Sequence, residues 1–449
     1  MRVGFFTDTY HPSLNGIVYV VDIMRRQFEA EGHEVYVLCQ VTYNGRHGRD
    51  NRQSRGADPH VIRLPAFESG FFEDYGIAMF FPPHILRRIK KLNLDIVIFF
   101  TPGQVGLMGT YAAKKLDIPL IAQHSTDLYE YVEHYPMVIP GIIALAAIVP
   151  FTIKMKGKDA KEWLKSFRPR RKAAMWGKQI IEQIITLLYQ KCDVVVTVSR
   201  KSYYQLNKWK GGNKVNFTII PTGVDQLPVS APEQVQAFRA KYKIAENEKV
   251  LLYVGRISPE KNLEVLIPVM ELILHQSPAT KLLLVGDFEY REILEGLAQE
   301  STASDNIIFT GRLPREELGA VYAAADIFVF PSVKDTQGLV LAEAALAGLP
   351  VVMIDEAVTE VVRDGINGII ADNSPIGIAK AIQYLLDHEE VRLSMASQSP
   401  VLAAEFTELK QTQKLIRLCE NLIKRRELKT STKSTRKRAF RTFPSKTTL

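Results

Sequence analysis

Val250-Leu251-Leu252-Tyr253-Val254 runs straight into Gly255-Arg256-Ile257-Ser258-Pro259-Glu260-Lys261-Asn262. Five consecutive apolar residues bounded by a glycine are too short for a helix and read as a strand buried on both faces. The segment behind it, with glycine, serine and proline, reads as a strand-end loop. Arg256 and Lys261 stand five apart in that loop, so two cations share one strand end, an arrangement suited to clamping a diphosphate from two directions. A solvated loop in which Ser258 caps a helix is the alternative that the residues leave open.

The same unit recurs on both sides. Downstream, short apolar runs at 281–285, 307–310, 327–330, 351–354 and 368–370 are each followed by a helical stretch. Upstream, runs at 2–7, 34–38, 96–100, 120–123, 194–198 and 218–220 do the same, and 17–30 has helical apolar spacing. Pro221-Thr222-Gly223-Val224-Asp225 is a turn between the two series. Strands alternating with helices predict an α/β protein with parallel sheets covered on both faces, and two series predict two doubly wound domains facing across a cleft. Ligands of such sheets bind at the carboxyl ends of the strands, and the loops that carry Arg256, Lys261, Asp335 and His124 lie there.

Composition sets the frame. The chain has 449 residues, 46% hydrophobic and 24% charged, which is ordinary globular composition with room for two or three domains. Its three cysteines, Cys39, Cys192 and Cys419, are far apart and offer neither a disulfide framework nor zinc spacing, which fits a reducing compartment. The opening Met1-Arg2-Val3-Gly4-Phe5-Phe6-Thr7-Asp8 reads as a first strand and not as a signal peptide. Charge is unevenly spread: residues 1–225 hold 30 Lys and Arg against 20 Asp and Glu, 226–423 hold 17 against 28, and 424–449 hold 10 against 1. One side of the molecule is expected to lie against an anionic surface.

Asp335-Thr336-Gln337-Gly338-Leu339-Val340-Leu341-Ala342-Glu343 places a glycine at the start of a helix between two carboxylates. Free backbone N–H groups at such a tip suit a phosphate, and the carboxylates suit sugar or ribose hydroxyls; a capping Asp335 with an exposed Glu343 is the plainer alternative. Ser13-Leu14-Asn15-Gly16 opens the first helix without the spacing of a dinucleotide fingerprint, so a bare turn competes with a phosphate loop. His124 stands at the end of a strand, where a structural histidine competes with a ligand contact. The chain has no Asp-x-Asp pair and no His/Cys spacing for a metal.

Taken in order, Gly255-Arg256-Ile257 with Lys261-Asn262, Val285-Gly286-Asp287, Ala325-Asp326-Ile327-Phe328-Val329-Phe330-Pro331-Ser332, Asp335 with Glu343-Ala344, and Gly348-Leu349-Pro350-Val351-Val352 resemble the retaining GT-B glycosyltransferases of family 4, also called group 1. The resemblance covers almost all of residues 1–425. Asp335-Thr336-Gln337-Gly338-Leu339-Val340 and the stretch 124–131 are similar to the bacterial and plastid diacylglycerol glucosyltransferase branch. Two departures stand out: Asp335 where much of the family has Glu, and Phe288 where Gly is common.

The resemblance implies a GT-B fold and a role for each matching residue. Arg256 and Lys261 hold the nucleotide diphosphate, Asn15 and Gly16 approach it from the first domain, and Glu343 takes the ribose. Asp335 binds the donor sugar, Gly338 and Leu339 orient sugar or phosphate, Leu313 meets the base, and His124 contacts the sugar near its reacting carbon. His124, Asp335 and Glu343 are the expected catalytic set. The implied reaction is a retaining, metal-independent hexosyl transfer from a nucleotide sugar, UDP-glucose or UDP-galactose, which is a substrate, so no cofactor is expected.

The acceptor is read from the first half. Residues 137–153 are 17 without a charge, interrupted by Pro140 and Pro150, and a run of Lys and Arg with Trp163, Phe167 and Trp176 follows. Length and prolines argue against a spanning helix, whereas an interfacial segment beside anionic headgroups fits; a buried helix followed by a solvated one is the alternative. Trp163, Lys165, Arg168, Arg170, Arg171 and Lys172 are the expected membrane contacts. The expected organisation is an acceptor-side Rossmann-like domain at 1–225 with an insertion at 137–178, a nucleotide-sugar domain at 226–400, a helix at 401–428 packing back on the first domain, and a disordered basic tail at 429–449. The function expected is transfer to a membrane lipid, diacylglycerol, by a cytoplasmic protein peripherally bound to the inner face of the membrane, with no nucleic-acid partner. A polysaccharide, phosphatidylinositol or soluble acceptor, or a non-catalytic nucleotide-sugar binder, are the competing readings.

Overall fold

The computed structural model describes residues 1–13, 15–40, 58–64, 66–68, 76–78, 83–125, 129, 139–152, 161, 163 and 173–441. They form two compact units. One comprises Met1–Thr197, Ser202–Ile220 and the chain from Thr412; the other comprises Val198–Lys201 and Pro221–Gln411.

The first unit is built on seven strands: β1 (Arg2–Thr7), β2 (Glu34–Gln40), β3 (Val61–Leu64), then, after the short antiparallel pair β4 (Ala66–Glu68) and β5 (Gly76–Ala78), β6 (Ile96–Phe99), β7 (Leu120–His124), β8 (Val194–Thr197) and β9 (Phe217–Ile219). The main sheet is parallel throughout, in the order β3-β2-β1-β6-β7-β8-β9. Strand order reverses beside β1, so the loops after β1 and β6 diverge there, the usual ligand position in such sheets. β3 and the β4–β5 pair add to the expected strands; Val61-Ile62-Arg63-Leu64 and the three-residue strands carry no apolar run long enough to mark them.

Side chains of β1 alternate between two layers. Val3 and Phe5 pack with Val18, Val21 and Phe28 of the helix Gly16–Ala30, and Phe6 packs on the opposite face with Leu107, Ile180 and Ile184. The helix Gly16–Ala30 starts where the Asn15 side chain accepts hydrogen bonds from the N–H groups of Ile17 and Val18, at 3.0 and 3.1 Å. Each large apolar side chain removed from water here contributes about 2 kcal/mol.

Residues 137–178 join this core in part. The helix Ile139–Thr152 buries Ile139, Ala146 and Val149 in the same layer as Phe6. Trp163 lies there too, only 4% exposed, so its expected membrane contact is corrected: the indole is a core side chain, held by the apolar layer it completes. Lys165, Arg168, Arg170, Arg171 and Lys172 lie outside the described residues. No helix among the described residues is long and apolar enough to cross a membrane.

The second unit has a six-stranded parallel sheet in the order β12-β11-β10-β13-β14-β15, from β10 (Lys249–Val254), β11 (Thr280–Val285), β12 (Ile307–Gly311), β13 (Ile327–Phe330), β14 (Val351–Met353) and β15 (Gly368–Ile370). Its strands feed a single core, and the order reverses between β10 and β13. Both units are therefore doubly wound α/β.

The C-terminal region departs from expectation in its boundaries. The helix Glu389–Ala403 ends in a short turn, and a new helix runs Glu408–Arg441. Leu415, Ile416, Cys419 and Leu422 of that helix pack beside Val3 and Phe5, and Arg426 donates to the Ile118 carbonyl. The expected disorder from 429 onward is corrected as far as Arg441, since a helix already nucleated by packing adds one hydrogen bond for each further residue it fixes, and Lys, Arg, Ser and Thr here do not break it as Pro or Gly would; residues 442–449 lie outside the described residues.

Candidate functional site

In the second unit the loops that follow β10, β11 and β12 touch backbone to backbone. Gly255 N–H donates to Val285 O at 2.9 Å, Gly286 N–H to Gly311 O at 3.0 Å, and Ile257 N–H to Asp287 O at 3.2 Å. A Cβ on Gly286, whose φ is +144°, would fall 1.8 Å from Gly255 O, so no other residue fits this contact. These glycines bring three strand ends into one continuous rim.

Lys261 ends the short turn Pro259–Lys261, and Asn262 follows in the left-handed conformation at φ +57°. The Asn262 side chain donates to Pro331 O at 3.1 Å, which ties the loop after β10 to the loop after β13. Lys261 Nζ then meets Asp335 Oδ1 at 2.5 Å, both side chains being largely buried. Asp335 Oδ2, Ser258 Oγ and Glu260 Oε2 are buried with no hydrogen-bond partner among the described residues. The loop carrying Asp335 is itself clasped: Gln337 accepts from Thr222 N–H and donates to Thr222 O, each at 2.9 Å.

Arg256 is half exposed. Its Nη2 donates to Glu260 Oε1 at 3.2 Å, and its guanidinium lies 5.0 Å from the centroid of the Phe288 ring. Phe288, a departure from the family pattern, is thus the platform of the loop's arginine. Beneath them Tyr253 is buried in β10 and donates to Arg256 O at 3.1 Å. Its phenol is pushed well above its ordinary value, by burial first and by the Asp335 carboxylate second.

Gly338 precedes the helix Leu339–Leu346 as its N-cap, with no side-chain cap of its own. A Cβ there would meet Leu341 Cδ1 at 2.8 Å and Phe330 Cζ at 3.0 Å, so packing as well as any ligand requires glycine. Glu343 follows one turn inside the helix and is buried. Arg315 Nη1 donates to its Oε1 and the Tyr322 hydroxyl to its Oε2, both at 3.1 Å. Tyr322 is raised well above its ordinary value, by burial and then by Glu343. Leu313 is half-buried against the same core. Arg256, Lys261, Leu313, Asp335, Gly338, Leu339 and Glu343 therefore all belong to the strand-end rim of one unit. Gln337, Tyr253 and Glu260, which lie in the quoted motifs but are not among the expected site residues, join them, as do Tyr322 and Arg315, which no sequence pattern marks.

In the first unit, Asn15 spends its side-chain oxygen on capping its own helix, and its amide donates to Thr9 Oγ1 at 3.0 Å. A Cβ on Gly16 would meet nothing within 4 Å. His124 is buried at the end of β7, with Nδ1 2.8 Å from the Tyr189 hydroxyl and the two rings edge to face. Asp8, absent from the sequence-based candidates, is the buried carboxyl of this sheet end. It accepts from Gln40 Nε2 at 3.0 Å, from Val105 N–H at 2.9 Å and from the Thr101 hydroxyl. Burial raises its pKa, while Thr101 and the N–H groups that open the helix Gln104–Leu116 oppose the rise. Asp8 is thus a distant cap for a helix whose N-cap residue, Gly103, has no side chain; a Cβ at Gly103 would lie 2.4 Å from Asp8 Oδ2. Its place after an apolar strand is the one signal of it in the sequence.

Among the described residues no group of three His, Cys, Asp or Glu side chains is placed to hold a metal ion. Cys39 and Cys419 are buried and free, and Cys192 is half-buried and free.

Comparison with known proteins follows the two units. Residues 14–226 match the family described as Glycosyltransferase Family 4, and residues 234–400 match Glycosyl transferases group 1. The chain is 26% identical over 408 residues to an alpha-monoglucosyldiacylglycerol synthase of Acholeplasma laidlawii, covering 89% of this chain and 92% of that one. It is 28% identical over 356 residues to the protein of the same name from Streptococcus pneumoniae, covering 78% and 70%. Among solved structures, Anabaena HepE in complex with UDP superposes with a TM-score of 0.66 at 17% identity, covering 94% of this chain and all of that one, a likeness of fold.

Proposed function

This chain belongs to the family 4, group 1 glycosyltransferases, and we propose that it moves a hexose, from UDP-glucose or UDP-galactose, onto a membrane lipid acceptor, diacylglycerol. The observation that carries the donor half of this reading is the 2.5 Å pair of Lys261 and Asp335 beside the uncapped tip of the helix Leu339–Leu346. A cation and a carboxylate in contact match the junction of a nucleotide sugar, where phosphate oxygens and sugar hydroxyls adjoin.

In this proposal Lys261, Arg256 and the helix N-terminus at Gly338 and Leu339 stabilise the charge that develops on the leaving diphosphate, without a metal ion. Asp335 takes a sugar hydroxyl, Glu343 the ribose, and the peptide around Leu313 the base. His124 is assigned to the sugar, and Asn15 with Gly16 to the phosphate; because the Asn15 oxygen already takes the N–H groups of Ile17 and Val18, the approach rests on the N–H of Gly16 itself. Retention follows if the acceptor hydroxyl attacks from the face the diphosphate leaves, with a donor phosphate oxygen receiving its proton.

The lipid half rests on the named relatives and on the basic run that holds Lys165, Arg168, Arg170, Arg171 and Lys172. Peripheral binding at the cytoplasmic membrane face is proposed on the same ground. The experiment is incubation of the full chain with a panel of labelled nucleotide sugars and total lipid. Label from a UDP-hexose is expected in the organic phase; label retained in water with every donor removes the lipid acceptor. In a companion assay, sedimentation with anionic vesicles is expected to fall when Arg168, Arg170, Arg171 and Lys172 are replaced by Ala.

A further inference from the structure

Glu343 is buried in the interior half of a helix, yet among the described residues its carboxylate is held by two groups, one of each kind. Oε2 takes the hydroxyl of Tyr322, a residue with no exposed surface, and Oε1 takes Arg315, whose side chain is 44% exposed. Tyr322 is itself fixed: it lies in the short helix Leu318–Ala323 and stacks on Phe328 of β13 at 6.0 Å between centroids. A carboxylate offers roughly four acceptor positions, so about two remain once these bonds are made. Two is the number that a vicinal diol needs.

We infer that Tyr322 is a positioning residue for ribose recognition, locking Glu343 from the interior while Arg315 steadies the open side, so that the remaining acceptor positions are presented to the cis-diol of a nucleotide. The inference rests on the proposed role of Glu343. It adds a physical reason for the tyrosine: without a fixed donor on Oε2 the carboxylate is free to turn about its last torsion, which is broad and only two-fold. Aim, and not charge alone, separates a ribose from its 2′-deoxy analogue, since a site built to bond a hydroxyl rejects the analogue that lacks it. Burial holds the phenol protonated through the neutral range, so it remains a donor.

The test is calorimetric titration of the full chain with UDP, GDP and ADP, and with the 2′-deoxy counterpart of whichever binds most tightly. The wild type is expected to prefer the ribose form about tenfold or more, the factor set by a hydrogen bond to a charged group. Tyr322→Phe is expected to bring that preference to about threefold or less while its melting temperature stays within a few degrees. Glu343→Gln separates recognition from positioning. If Glu343→Gln loses the preference and Tyr322→Phe keeps it in full, positioning is wrong and ribose recognition stands. If Glu343→Gln keeps the preference, or the wild type has none, ribose recognition fails and positioning with it. Should Tyr322→Phe not fold, Arg315→Met on the open side carries the same comparison: a reduced preference supports the inference, and an unchanged one overturns it.

Discussion

Lys261 and Asp335 stand 74 residues apart in sequence and are joined Nζ to Oδ1 at 2.5 Å. The contact exists because Asn262 pins the loop after β10 to Pro331, at the root of the loop after β13, and Gln337 clasps that second loop to Thr222. Two strand ends adjacent in the sheet thus deliver opposite charges to one place.

Replacing Lys261 by Ala is expected to lower the rate of sugar transfer by about 100-fold or more, the range for loss of one preorganised group facing developing charge. It also leaves Asp335 a largely buried carboxylate with no cation, at a cost of about 3 kcal/mol. Initial rates with labelled donor and urea titration check the two parts. Transfer within twofold of wild type would remove Lys261 from the site.

Phe288→Gly takes the ring from beneath Arg256 and restores the residue common in the family. An exposed cation–π contact is worth about 0.5–1 kcal/mol, so KM for the donor is expected to rise about two- to fivefold with kcat unchanged. Phe288→Tyr should restore the wild-type value. Equal KM in all three proteins would show that Arg256 needs no platform.

Asp8 predicts a pH dependence. Its folded-state pKa is raised above 3.8 by burial, so the folded chain binds this proton more tightly than the unfolded one. The stability this contributes is fully present below the ordinary value and is lost as pH rises through the raised one. Asp8→Asn removes that proton linkage. Thermal melts from pH 4 to 8 should therefore show the variant gaining on the wild type as pH rises; a difference that stays flat would mean that Asp8 does not titrate in this way.

Gly286→Ala places a methyl 1.8 Å from Gly255 O at a backbone angle that disfavours side chains. The rim must open, at a cost of about 3 kcal/mol. Loss of donor binding should accompany the fall in urea midpoint. A variant as stable as wild type would mean the two loops are not in contact.

Much of the sheet architecture is legible in the sequence, since parallel strands covered on both faces must be short apolar runs closed by turn residues, and β10, β11 and β13 are such runs. β3 escapes because Arg63 interrupts four residues that follow a turn. Trp163 has basic neighbours yet belongs to the core, because an aromatic ring in a charged stretch looks the same from sequence whether it faces a membrane or joins the layer of Ala146 and Val149. Tyr322 carries no signal at all: a tyrosine in an apolar helix reads as packing until its hydroxyl is seen on Glu343.

Local chemistry along the chain was enough to determine most of the strands of the two parallel sheets, though not β3, and which loops hold cations, carboxylates and glycines, because each depends on residues within a few positions of one another. Only the tertiary structure decided the partners. Lys261 with Asp335, Glu343 between Arg315 and Tyr322, and Asp8 with the N–H of Val105, 97 residues on, all join groups from different strand ends. What brings them within bonding distance is sheet order and backbone contact, neither of which is encoded at short range.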